Sequence, residues 1–222
     1  MTRRNRWDGD CPFCGGRIQL TYYTSINSVL DPELAERVKD GTIFEASCPS
    51  CGETIQLFTA LLYHDMENHA MVQLVAGPGD FPEAVEMIER FKKDSESMGD
   101  ASLSKAGYAI RVVSSPNYLR DKAIVFAAGL DDRAVELCKA FLIASQSDVA
   151  DKHCEAYVQA VHEDRSIDLA VFLGDDAGTA TIPGSVYDKA LTLFDSSDPD
   201  GNGLVIDLDW AVGRISESRS EL

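Results

Sequence analysis

Two short segments, Cys-Pro-Phe-Cys-Gly at 11–15 and Cys-Pro-Ser-Cys-Gly at 48–52, restrict what this chain can fold into more than anything else in it. Two residues between paired cysteines let both sulfurs turn toward one centre, and proline fixes the backbone of that turn before any ligand arrives. Gly15 and Gly52 follow at places where such a turn calls for positive φ and lets backbone amides face the sulfurs. Four thiolates from Cys11, Cys14, Cys48 and Cys51 closing a tetrahedron suit one structural Zn2+, with no open position for water or substrate. A single Cys-x-x-Cys at the start of a helix would read as a dithiol redox motif. Two pairs favour metal, with iron the competing ion.

The residues around the knuckles predict a small ribbon-like module. RIQLTYYTSINSVL is rich in β-branched and aromatic residues and reads as a strand. Asp31 as cap, Pro32 in the first turn and Gly41 as stop predict a short helix over PELAERVKD, more than a minimal ribbon requires. TIFEAS, TIQLFTALLYHD and AMVQLV read as strands that close the module, giving a first domain over 1–76. Residues 77–106, where Val85 and Ile88 step round a charged helix, read as a connector.

The remainder, 107–222, reads as a larger domain. It begins with a strand in YAIRVVSS and a helix from Pro116 to Gly129. A second helix starts at Asp131 or Asp132, with Val135, Leu137, Cys138, Phe141 and Leu142 along its apolar side. HCEAYVQAVHED and SIDLAVFLGDD predict a hairpin, GTATI a strand, PGSVYDKALTLF a helix, and LVIDLDWAVGRI a last element. Helices and strands mixed without a regular βαβ rhythm predict an α+β fold.

Charge and composition narrow the function. The net charge is −17 and both halves of the chain are acidic, which opposes nucleic acid as a partner. Arg3, Arg4 and Arg6 form the one basic cluster and read as a solvated tail, diluted by Asp8 and Asp10. No run of about 20 apolar residues is present, so no membrane span is predicted. The N-terminus lacks the apolar stretch of a secretory signal. With thiols paired for metal rather than for cross-links, the expected compartment is the cytoplasm.

With the knuckles in view, the first 75 residues resemble the bacterial CpXC family, which is named for two Cys-Pro-x-Cys motifs. The resemblance rests on CPFCG and CPSCG, on the intervening SINSVLDPELAERVKDGTIFEASC, and on LLYHDM after them. Residues 108–142 are similar to the region that often follows this domain in longer members. The resemblance implies metal-binding cysteines at Cys11, Cys14, Cys48 and Cys51 and no established activity.

Other constellations are weaker. Asp198, Asp200, Asn202, Gly203 and Asp209 match the first, third, fifth, sixth and twelfth places of a calcium-binding EF-hand loop. Against that, Ile206 holds the ninth place, and Leu204, Ile206, Leu208 and Trp210 alternate as in a strand, so an acidic turn before a strand is expected. Tyr63, His64, Asp65 and His69 gather after the second knuckle without a nucleophile to complete a triad. His153, His162, Cys138 and Cys154 read as structural. The function expected is a non-enzymatic zinc protein whose ribbon is a platform for a protein partner or for its own larger domain. Association with nucleic acid or transcription machinery, and an enzyme with its site in the C-terminal domain, are the alternatives.

Overall fold

In the computed structural model, which describes residues 2–97, 107–145, 153–194 and 203–220, each knuckle forms the tip of a β-hairpin. Strand β1 (Arg3–Asp10) runs into the first knuckle and β2 (Arg17–Asn27) leaves it, paired antiparallel from Arg3 opposite Ser25 to Asp10 opposite Arg17. The second knuckle joins β3 (Glu45–Ser47) to β4 (Thr54–Gln56), also antiparallel. Between the hairpins lie helix α1 (Pro32–Lys39) and a single 3-10 turn over Thr42–Phe44. That turn takes up half of the strand expected in TIFEAS.

Two expectations are corrected in this region. Arg3, Arg4 and Arg6 belong to an eight-residue strand, not to a tail. Asp31 holds the N-cap place of α1, but its carboxylate accepts the Thr2 hydroxyl and leaves the helix amides alone. The buried Asn27 side chain organises the approach, accepting the amides of Val29 and Leu30.

The chain continues into β5 (Leu61–Asp65) and β6 (Ala70–Leu74), an antiparallel pair with alternate residues buried. Helix α2 (Phe81–Ser97) has no fully buried side chain among those described, as its charged sequence predicts. Strand β7 (Ala109–Val113), fully buried, then pairs parallel with β6. The result is a five-stranded mixed sheet in the order β1-β2-β5-β6-β7. Because β7 completes a sheet that starts at β1, the boundaries expected at 76 and 106 do not match the compact units, which are Met1–Ala123 and Ile124–Leu222. The division falls within helix α3 (Pro116–Ala127).

In the second unit, helix α4 (Asp132–Ala144) starts at Asp131, whose side chain accepts the Arg133 amide. Strands β8 (Cys154–Val161), β9 (Ile167–Leu173) and β10 (Asp176–Ile182) form an antiparallel sheet in the order β10-β9-β8. Helices α5 (Gly184–Leu191) and α6 (Leu208–Ser220) pack on α4. Leu137, Cys138, Val158, Leu169, Tyr187 and Ala211 are among the side chains of the core. The buried Glu136 and Lys139 pair at 2.9 Å within α4.

The strand expected over 204–210 is a helix from Leu208. Leu204, Ile206 and Leu208 are indeed alternately buried, but the first two lie on an irregular, bent approach that ends at Asp207 and Leu208 is already in the helix. The Asp207 side chain accepts the Trp210 amide at 2.9 Å and so starts α6. The fold is α+β. Among the described residues no helix is long and apolar enough to cross a membrane.

Candidate metal centre

The two knuckles have the same backbone. In the first, the Cys11 amide donates to the Gly16 carbonyl and the Gly15 amide to the Cys11 carbonyl. In the second, the Cys48 amide donates to Glu53 and the Gly52 amide to Cys48. Gly15 and Gly52 take φ of 69° and 78°, a conformation that a side chain would strain. The expected role of both glycines is therefore met in the same way at each tip.

These turns bring four sulfurs together within 4.8 Å of one another. Cys11 Sγ lies 3.8 Å from Cys51 Sγ, and Cys14 Sγ 3.9 Å from Cys48 Sγ. Four thiolates about 2.3 Å from a tetrahedral centre stand about 3.8 Å apart, so the set fits one metal ion. A disulfide would need about 2.0 Å, and all four cysteines are free. Each close contact crosses from one knuckle to the other, so a metal ion held there would link the two hairpins. Cys11 and Cys48 are buried, and Cys14 and Cys51 face solvent. Behind them Ile18, Leu20 and Ile55 form a small apolar cluster.

The thiols of the second knuckle shift in opposite directions. Hydrogen bonds from the Cys51 amide, then from the Ser50 amide and neighbouring thiols, outweigh burial and hold Cys48 down to about 6. At Cys51 the Glu53 amide also favours the thiolate. Burial and hydrogen bonds with Cys48, Cys14 and Cys11 outweigh it and push that thiol up to about 12.

The other candidates lie elsewhere. Asp65 is a structural acceptor, taking the Ser28 hydroxyl and the Asn68 amide and side chain. His64 Nε2 is 3.0 Å from the Tyr108 hydroxyl and His69 stacks on the same ring, while desolvation lowers the His64 pKa. Tyr63 is buried, and that burial raises its pKa. His162 pairs with Asp168 at 2.8 Å on the surface, and His153 with Glu155 at 3.4 Å. Cys138 is buried and its thiol is pushed up to about 11 by that burial. Cys154 is half-buried on β8. Of the acidic loop, Asp198, Asp200 and Asn202 lie outside the described residues, and Asp209 sits in the first turn of α6.

A groove of about 510 Å³ opens beside the first knuckle, lined by Trp7, Leu20, Tyr22, Ile55 and Phe58 among others. Phe58 is 77% exposed and Phe13, in the knuckle itself, 59%. The signal for this surface in the sequence is the set of aromatics flanking both knuckles, Trp7, Phe13 and Phe58, which the expectation of a solvated tail at Arg3, Arg4 and Arg6 leaves without a role.

Paired hairpin tips that gather four thiols define a cysteine-knuckle protein of the ribbon type, able to hold one metal ion, within an α+β fold. The family model for the CpXC protein matches residues 10–139, more than half of the chain, and the chain belongs to that family. The match contains both knuckles and runs through α3 into α4. No curated protein and no solved structure matches the chain.

Proposed function

We propose that this chain is a non-enzymatic zinc protein in which one ion, held by Cys11, Cys14, Cys48 and Cys51, clamps two hairpins into a rigid platform for protein contacts. The observation that carries the reading is the tetrahedral spacing of four free sulfurs drawn from two knuckles. Closed four-thiolate coordination leaves no site for water or substrate, so the ion is structural. The exposed Phe13 and Phe58 and the groove beside them support a platform, since clustered surface aromatics fit protein contacts. The net charge of −17 works against nucleic acid.

Elemental analysis of purified, reduced protein tests the metal. One zinc per chain is expected, with loss of zinc in Cys48→Ser. Iron in its place, or four thiols that react freely with no ion bound, would refute the reading. A protein partner bound equally well after chelation would refute the platform.

A further inference from the structure

Among the described residues, strand β1 is the outer strand of its sheet, hydrogen-bonded to β2 on one side. Seven of its eight residues are exposed, including Trp7 at 45%. Proteins usually guard such an edge with charge, because a bare edge recruits another strand. Guarding works when the charges repel a second copy. Here the sign changes along the strand: Arg3, Arg4 and Arg6 precede Trp7, and Asp8 and Asp10 follow it.

The pairing with β2 shows which residues share a face. Trp7 and Gly9 stand opposite the buried Leu20 and Ile18, on the face that covers the knuckle cluster. Arg4, Arg6, Asp8 and Asp10 occupy the other face, opposite Tyr23, Thr21, Gln19 and Arg17. Asp8 already accepts from Gln19 and Asp10 meets Arg17 at 3.5 Å, both in solvent. None of the three arginines has an ion pair among the described residues.

We infer that β1 is a self-association edge, at which a second copy of this chain adds its own β1 antiparallel about a two-fold axis at Trp7. Two identical sheets joined edge to edge in this way need an axis normal to the sheet, which sets each residue against one of the same face. With the axis at Trp7, Arg4 stands opposite Asp10 of the second copy and Arg6 opposite its Asp8, and symmetry repeats both pairs. An axis at Arg6 would oppose two arginines, and an axis at Asp8 two aspartates, which like-charge repulsion disfavours. Charge alone therefore selects one register. The backbone is prepared for it as well. The Trp7 indole lies over Gly9, where a Cβ would fall 2.1 Å from the ring, so this stretch is covered on one face and open at its edge. The joined edges place the two aromatic grooves on the same face, near the axis.

This inference is independent of the metal, because changing the even-numbered positions leaves all four cysteines in place. Its test is the solution mass of the full chain by sedimentation equilibrium, with far-UV circular dichroism to confirm the fold. The wild type is expected at twice the chain mass at concentrations on the order of 100 μM, with dissociation promoted by molar salt. The all-acidic variant Arg4→Asp/Arg6→Asp and the all-basic variant Asp8→Arg/Asp10→Arg should each dissociate at least about tenfold more readily. Mixed one to one, the two variants should form a mixed dimer, and the fourfold exchange should restore the homodimer. If a double variant misfolds, the single changes Arg6→Asp and Asp8→Arg serve in the same mixing design. A monomeric wild type, variants that remain dimeric alone, or folded variants that stay monomeric when mixed would overturn the proposal.

Discussion

Removing the metal should melt the knuckle hairpins and leave the second unit folded. Behind the sulfurs the ribbon has Ile18, Leu20 and Ile55 as buried aliphatic side chains, each contributing roughly 1.5–3 kcal/mol, or about 5–9 kcal/mol in all. Fixing the backbone of the second hairpin, Glu45–Ser47 to Thr54–Gln56 with its knuckle, costs roughly 1–2 kcal/mol per residue, or about 12–24 kcal/mol. Even with all three side chains set against the second hairpin alone, the deficit is roughly 3–19 kcal/mol, a range that contains the roughly 10–16 kcal/mol that structural zinc supplies in small modules. Limited proteolysis of chelated, reduced protein should therefore cut near residues 11–16 and 45–60, while fragments from the second unit persist. Reloading zinc should restore protection, and Cys48→Ser should be cut like the chelated protein. Uptake should also weaken as pH falls, because Cys51, held near 12 without metal, must release its proton to bind. An unchanged cleavage pattern after verified metal removal would refute this account.

Three further outcomes concern the second unit. Cys138→Ser places a hydroxyl in an apolar core and should cost roughly 1–3 kcal/mol, read by denaturant unfolding; the wild-type thiol, held near 11, should resist alkylation until the protein unfolds. Asp207→Ala removes the acceptor for the Trp210 amide and should cost roughly 0.5–2 kcal/mol, with loss of helical signal from α6. The hydrogen bond to Asp168 raises the His162 pKa, so the folded state binds this proton more tightly than the unfolded one. The stabilisation is complete below the unfolded value of about 6.5 and fades as pH rises through the folded value. The gap in melting temperature between wild type and His162→Asn should accordingly narrow from pH 6 toward 8, and a gap that widens would reverse the sign.

What the sequence disclosed depended on how local each constraint was. Cys-Pro-x-Cys-Gly fixes turn, thiol placement and glycine conformation within five residues, so the cysteine cluster and both positive-φ glycines could be read directly. Asp131, whose side chain accepts the Arg133 amide, and Pro116, whose fixed φ suits a first helical turn, likewise marked their helices from local constraints. The pair Glu136 and Lys139 was less legible. Residues three apart on a helix are usually a solvated pair, and their burial comes from packing that no window of sequence contains.

Two of the misread elements share a physical cause. Alternation reports which side of an extended chain is buried, and it is silent on whether that chain is paired. At 204–208 the alternation is real, yet Asp207 turns the backbone into α6 before any strand partner can be used. At β1 the reverse holds. An outer strand with one covered face needs few apolar residues of its own, and Trp7 spread over Gly9 supplies that cover almost alone. Its charges then imitate a tail. They become interpretable once β2 assigns each to a face, because an order of signs reversing at Trp7 has no consequence in a disordered segment but fixes a register along an open edge. The same strand that leads into Cys11 thus also presents the outer edge of the sheet, so one eight-residue segment carries two constraints, a thiol at its end and an order of charges along it.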